Sequence, residues 1–414
     1  MSERVAILRR FADALDGASQ ALRDAIVTEV GKLRGEAAGE VAGTVATARW
    51  YAEHPPVGER RGTATVVRRA LGVIGLISPC NVPLITPLWH LLPALLVGNG
   101  VVRKPSELAT RVALLAVEHL RHAGMPNGLV EVTPGGPGTG RELCQHPLVR
   151  GVAFTGSTNA GRAIAVSVAE RFIPSSLEMG GNNPAVVFAD ADLELAADYV
   201  AATVGSLQRQ KCTTTRRALV QTGVADEFAS LLSERFVGFV AGDPADARTT
   251  LGPLITPAAA AAGRTAVADA LAGGARVLAS SPLDTLGCPQ TDCFMAATLL
   301  TDLAYDDPLR GGELFAPVVS LATFAHPEAA WRTANDTIYG LTSPVYTRDP
   351  KLQQEAVRRL ETGIVNVNRR SDDVGMEAPF GGLKASGQGP REGGAYVYDG
   401  VSHLQAVYGA GAVT

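Results

Sequence analysis

The chain has 414 residues, with 37 Lys+Arg against 41 Asp+Glu and a net charge of −4, so it carries no basic footprint for nucleic acid. At 46% hydrophobic it is too apolar to be disordered, and it is long enough for two or three domains with their own cores. Five scattered cysteines form no Cys-x-x-Cys pair and no cluster with histidine, which argues against a metal site and for a reduced, cytoplasmic enzyme.

The N-terminus lacks the apolar stretch of a signal peptide. Val5, Leu8, Phe11, Leu15, Leu22, Ile26 and Val30 recur at helical steps, so the spacing predicts helix over 5–53, ended by Pro55-Pro56. Residues 58–69 read as a strand pair. The apolar run 72–78 predicts a strand buried on both faces. The segment 83–98, broken by Pro87, His90 and Pro93, is too short to span a membrane and reads as helix over 84–97. Strands at 100–103, 129–133 and 151–155 then alternate with helices at 110–123, 139–146 and 160–170.

The second half has the same texture. Strands are expected at 183–188 and 216–221 with helices at 193–208 and 225–239, followed by helix 257–272 and strands near 274–278 and 298–301. Strand 317–323, helix 327–336, strand 341–347, helix 350–361 and strand 363–367 complete it. Such alternation implies an α/β fold of parallel, doubly wound sheets that bind ligands beyond their strand C-termini. The expected division is two Rossmann-like domains, 1–180 and 181–395. The β-prone tail 396–414 is expected to pair with another subunit.

Several short segments could carry chemistry. Gly135–Gly140 fails the dinucleotide fingerprint, because Pro137 interrupts it, and reads as a turn. In Ser78-Pro-Cys-Asn-Val-Pro83, Asn81 is either a turn residue or a donor to a developing oxyanion. Arg103-Lys-Pro-Ser-Glu107 puts charges at a strand end, for ribose hydroxyls or for solvent. Phe154-Thr-Gly-Ser157, with Gly161 beyond, suits pyrophosphate on helix amides or an ordinary Ser cap. Glu178 ends an apolar strand before a glycine pair, where half-burial would raise its pKa toward a useful base; a salt bridge is the alternative. Cys212, flanked by Arg209, Lys211 and three threonines, is expected in a cationic setting that favours thiolate, although a lone cysteine is otherwise a small core residue.

Taken in order, SPCNVP, RKPSE, FTGST, LEMGGNNP, QRQKCT, GELFAP and PFGGLKASG make the chain resemble the aldehyde dehydrogenase superfamily from about residue 5 to the C-terminus. The spacing of Glu178 and Cys212 is the family's own. The resemblance implies an aldehyde-dehydrogenase-like α/β fold: a cofactor-binding domain (1–180) with an oligomerisation hairpin near 55–70, a catalytic domain (181–395) and a C-terminal oligomerisation segment. It makes Cys212 the nucleophile, Asn81 and the Cys212 amide the oxyanion donors, Glu178 the base for the deacylating water, and Glu392 a second carboxylate in a proton relay. Lys104 and Glu107 go to the adenine ribose, Ser157 to the pyrophosphate, and Glu313 with Phe315 to the nicotinamide ribose. Ser78, Pro79, Cys80, Gly156 and Gly161 belong to the same cofactor site. Glu107 would repel a 2′-phosphate, favouring NAD, with NADP left open.

The departures are specific. The N-terminus is shorter than usual, so the first cofactor-domain strands are expected to be missing or replaced. Cys80 stands for Trp, Arg209 and Ala316 for Gly, and His403 for Glu. Residues 363–368 and 378–394 are most similar to 2-oxoglutarate-semialdehyde dehydrogenases, and LEMGGNNP and KCTTTRR to succinylglutamate-semialdehyde and benzaldehyde-type members. The expected substrate is a small acidic semialdehyde, bound near Arg369, Arg370, Lys211 and Phe380. The alternatives are that the arginines are surface charges and the aldehyde aromatic or aliphatic, or that the chain is a non-catalytic subunit of this fold. A coenzyme A-acylating relative is opposed by Glu178. A homodimer or homotetramer is implied.

Overall fold

The N-terminal apolar steps fold as three helices rather than one, Ser2–Gly17, Ser19–Val30 and Arg34–Glu53. The second ends at Gly31, whose φ of +73° is a left-handed conformation that suits glycine. Its apolar positions stay in phase across the break, which is why periodicity alone does not reveal it. These relations come from a computed structural model that describes residues 1–285, 288 and 291–409.

The first sheet has the strand order Gly387–Gln388, Ser175–Glu178, Val149–Thr155, Val73–Ser78, Gly100–Pro105, Val130–Val132. All neighbours are parallel except Gly387–Gln388, which runs antiparallel to Ser175–Glu178. That short strand returns from the segment expected to be wholly catalytic domain. Connections leave Val73–Ser78 in both directions, so a crevice opens between its C-terminal end and that of Val149–Thr155. The expected turn at 135–140 is partly helix, since Pro137 starts the helix Pro137–Gln145.

The second sheet has the order Arg276–Ser280, Thr298–Thr301, Val318–Phe324, Arg217–Gln221, Pro184–Val187, Thr342–Tyr346, Ile364–Val367. It is parallel apart from its first strand. Residues 179–183 link the C-terminal end of Ser175–Glu178 to the N-terminal end of Pro184–Val187. Side chains from those two sheet edges are therefore brought together.

The segment 58–69 forms the hairpin Glu59–Arg61 and Ala64–Ala70, and Ser402–Tyr408 adds antiparallel to its second strand. The rest of the tail, 410–414, lies outside the described residues. Among the described residues, no helix is long and apolar enough to cross a membrane.

The helix Ile85–Val97 follows the Asn81 segment, and its start is held from afar. One oxygen of buried Glu40 accepts the Leu84 and Ile85 N–H groups at 2.8 and 3.2 Å, and the other pairs with buried Lys32. Glu40→Ala leaves Lys32 unpaired and the helix uncapped, and should cost about 3–5 kcal/mol. Urea unfolding should show the loss, with Glu40→Gln milder.

Candidate active site

A cavity of about 580 Å³ opens at the crevice of the first sheet. Its walls include Ser78, Pro79, Lys104, Glu107, Gly156 and Ser157. Glycine is required here by space: a Cβ at Gly156 would lie 2.6 Å from the Phe154 ring, and one at Gly161 2.7 Å from Met179 Sδ. Ser157 does cap the helix Thr158–Ala169, accepting from Ala160 N–H, and the same turn faces the cavity. Lys104 Nζ lies 3.4 Å from exposed Glu107. Cys80 is half-buried beside this wall, its thiol pushed up by burial against an opposing Ser106 hydrogen bond.

The turn carrying Cys212 is held through its backbone. Asn81 Nδ2 donates to Gln210 O at 2.7 Å, and Asn183 Nδ2 donates to Cys212 O at 2.6 Å and Thr214 O at 2.8 Å. Arg216 Nη2 donates to Lys211 O at 3.0 Å. The expected cationic setting for the thiol is wrong. Arg209 turns away to Ala316 O, and Lys211 is bound to Asp372 at 3.3 Å. Burial, and then Glu313, Glu178 and Glu392, push the Cys212 thiol up to about 12, with Arg216 alone opposing. Arg209 adopts φ +63° and Leu207 φ +48°, a left-handed stretch that suits glycine better than either residue.

Glu178 is buried at its strand end, and Oε2 accepts the Gly382 N–H at 3.1 Å. A side chain at Gly381 would strike Glu178 Oε1, so the Phe380-Gly-Gly382 loop can close on the carboxylate only as glycine. Burial and neighbouring Glu392 raise the Glu178 carboxyl well above the ordinary range, opposed by Gly382 N–H and Arg391. Phe380 pairs its backbone with Glu392 and meets Trp89 edge-on at 5.3 Å. Glu392 Oε1 lies 3.2 Å from Thr155 Oγ1 and 3.3 Å from His90 Nδ1.

Burial raises Glu392 to about 8 and lowers His90 to about 4, so near neutral pH this contact is a hydrogen bond between uncharged groups. Because Glu392 holds its proton more tightly folded than unfolded, its contribution to stability is full below about pH 4.5. It is lost as the pH rises through about 8. Glu392→Gln should flatten the fall in unfolding free energy over that range, by at most about 1.4 kcal/mol per pH unit, as urea unfolding at each pH would show. An unchanged slope would mean that Glu392 is already ionised.

A carboxylate, a cysteine turn and a side-chain amide thus meet between two sheet edges, beside a crevice with a helix N-terminus. Residues 1–407 match the model of the aldehyde dehydrogenase family. The chain belongs to the aldehyde dehydrogenase family.

Relatives agree along nearly the whole chain. Mitochondrial succinate-semialdehyde dehydrogenase of Arabidopsis thaliana is 37% identical, covering 96% of this chain and 76% of its own length. Alpha-ketoglutaric semialdehyde dehydrogenase of Bacillus subtilis is 30% identical, with 98% and 85% covered. Among solved structures, lactaldehyde dehydrogenase of Escherichia coli superposes with a TM-score of 0.92 at 31% identity, covering 98% of this chain and 86% of that one. Betaine aldehyde dehydrogenase of Staphylococcus aureus with NAD+ gives 0.93 at 28% identity, with 98% and 82% covered. The protein is therefore an NAD(P)-dependent oxidoreductase that converts aldehydes to acids.

In this aldehyde dehydrogenase a second cavity, about 590 Å³, adjoins the cysteine turn and is lined by Lys32, Glu36, Glu40, Val82, Ile85, Ser206, Lys211 and Arg370 among others. Arg370 grips buried Asp372 with two hydrogen bonds of 2.9 Å. Arg369, expected beside it, instead points to Asp373 at 2.6 Å, is exposed, and is not among the lining residues. His90, Asn183 and Arg216 complete the site, and the sequence marks them only weakly. A polar residue inside an apolar helix, and two adjacent arginines before a buried strand, were the available signals.

Proposed function

We propose that this aldehyde dehydrogenase oxidises a small acidic semialdehyde through a thiohemiacetal and then a thioester on Cys212. The observation that carries the substrate class is in the second cavity, where Lys211 and Arg370 share the single carboxylate of Asp372, so that this triad carries one positive charge in excess. A remote carboxylate is drawn to that charge. Glu36 on the same wall favours a second reading, an amine-bearing aldehyde: its Oε1 accepts the Leu207 N–H, while buried Oε2 has no partner among the described residues.

The residues at the first cavity fit a dinucleotide. Helix amides and Ser157 suit phosphate oxygens, Lys104 and Glu107 suit ribose hydroxyls, and two glycines clear the approach. When bound, the nicotinamide supplies the two-electron acceptor. The chain's own part is as follows. Cys212 attacks the carbonyl carbon once its proton is removed. The oxyanion takes the Cys212 N–H and the second N–H of Asn81, whose first is spent on Gln210 O. Glu178, its basicity raised by burial, deprotonates the water that hydrolyses the thioester, and Glu392 stands next to it to pass the proton on. Glu107 favours NAD over NADP. The reading includes a cytoplasmic homodimer or homotetramer with neither membrane nor nucleic-acid partners; Ser402–Tyr408, an outer strand of its sheet, supplies an edge for pairing.

The test is an aldehyde panel followed at 340 nm with each cofactor, comparing acidic, neutral and amine-bearing aldehydes of equal length. Arg370→Ala should lower kcat/KM for the acidic aldehyde about 10- to 150-fold, corresponding to about 1.5–3 kcal/mol for a desolvated charge pair. It should spare the neutral one. Arg369→Ala should change neither, because an exposed pair contributes under about 1 kcal/mol. Equal use of acidic and neutral aldehydes by the native enzyme would overturn the acidic reading.

A further inference from the structure

The guanidinium of Arg216 is the point where the separate walls of the catalytic chamber are tied together. It is buried, and each of its nitrogens is spent. Nε donates to Gly181 O at 2.6 Å, Nη1 to Leu314 O at 2.6 Å, and Nη2 to both Lys211 O at 3.0 Å and Glu313 Oε1 at 2.8 Å. These acceptors come from the loop after Glu178, the segment carrying Glu313 and Phe315, and the residue before Cys212. The plane of the group also lies over the Phe315 ring, 5.1 Å from its centre.

Glu313 needs this partner. Its carboxylate packs directly on Gly180, where a side chain would collide with it, and Oε1 also accepts the Gly181 N–H at 3.1 Å. Its side chain is only 14% exposed. Such a carboxylate, bare and close to the thiol, would oppose thiolate formation.

We propose that Arg216 is a positioning residue that neutralises Glu313 and pins the Cys212 turn against it, so that the thiol can be ionised. This rests on the reading of Cys212 as nucleophile. The ionisable groups facing the pair are Glu178, Glu392 and Arg209. The first two oppose thiolate with Glu313, whereas Arg209 both repels Arg216 and attracts Glu313 as a second cation near it, unpaired among the described residues. Among the charged groups around the thiol in the described residues, Arg216 is the one that favours its ionisation. Neither neighbour in sequence favours the thiolate directly, since Arg209 hydrogen-bonds Ala316 O and Lys211 is bound to Asp372.

The experiment measures alkylation of the cofactor-free protein by iodoacetamide across pH, with mass spectrometry locating the modified cysteine. Arg216→Gln should slow modification of Cys212 at least about tenfold near pH 8 and move its profile to higher pH, a shift of one unit being tenfold. Arg216→Lys, which keeps the charge but not the fork, should fall between. Should Arg216→Gln fail to fold, Arg216→Gln with Glu313→Gln removes both charges, and its profile should return toward the native one. A Cys212 profile unchanged in folded Arg216→Gln, or a double variant as slow as the single, overturns the role of Arg216. If native inactivation by the reagent follows a cysteine other than Cys212, the nucleophile reading falls instead.

Discussion

Cys212→Ala is expected to lower NAD(P) reduction by at least about 10⁴-fold while leaving the fold and melting temperature close to native. The size follows from covalent catalysis: without the sulfur there is no thiohemiacetal to collapse, and the remaining groups only bind and polarise the aldehyde. The retention of fold follows from how the turn is held. Asn81, Asn183 and Arg216 all grip backbone carbonyls of residues 210–214. Removing Sγ breaks none of these bonds. Cys212→Ser should be as inactive, because a hydroxyl is a poorer nucleophile and is harder still to ionise. Cys293→Ala is the matching control: that thiol is buried and lines neither cavity, and it should be dispensable for turnover. Native rates in the Cys212→Ala enzyme would place the nucleophile elsewhere.

The sequence and the structure agree best where pattern is local. Buried strands such as Val73–Ser78 and Pro184–Val187 show as short apolar runs, and the turns beside them, after the first and before the second, contain Asn and Gly residues of the site. Crowding explains why several of those glycines are glycines, as at Gly156, Gly161 and Gly381. Electrostatics was not legible. Arg209 and Lys211 are neighbours of Cys212 in sequence, yet the left-handed backbone at Arg209 and the pull of Asp372 point both away. The cation that does face the thiol lies four residues later and is recognisable only once Gly181, Leu314 and Glu313 have been folded around it. Likewise Arg369 and Arg370 look equivalent as a pair. They part because each takes a different aspartate, Asp373 at the surface and Asp372 inside.

Glu178→Gln separates the two halves of the reaction. Glutamine keeps the size of the side chain and its oxygen can still accept the Gly382 N–H, so the loop closing on it should stay in place. What is lost is the base. If Glu178 serves the deacylating water, the variant should release about one equivalent of NAD(P)H per site in a rapid phase and then stall. Steady-state turnover should fall about 10²- to 10⁴-fold, the usual worth of a general base. The pH response sharpens the test. Because burial and Glu392 hold the Glu178 proton more tightly than usual, native deacylation should weaken as the pH falls through the raised pKa, and this limb should vanish in the variant. The resting thiol, pushed up to about 12, makes the competing outcome specific. Should Glu178 instead take the proton from Cys212, the rapid phase itself would disappear, and adding hydroxylamine to capture a thioester would restore nothing. A rapid phase followed by rescue with hydroxylamine assigns the carboxylate to hydrolysis, and unchanged turnover removes it from the mechanism.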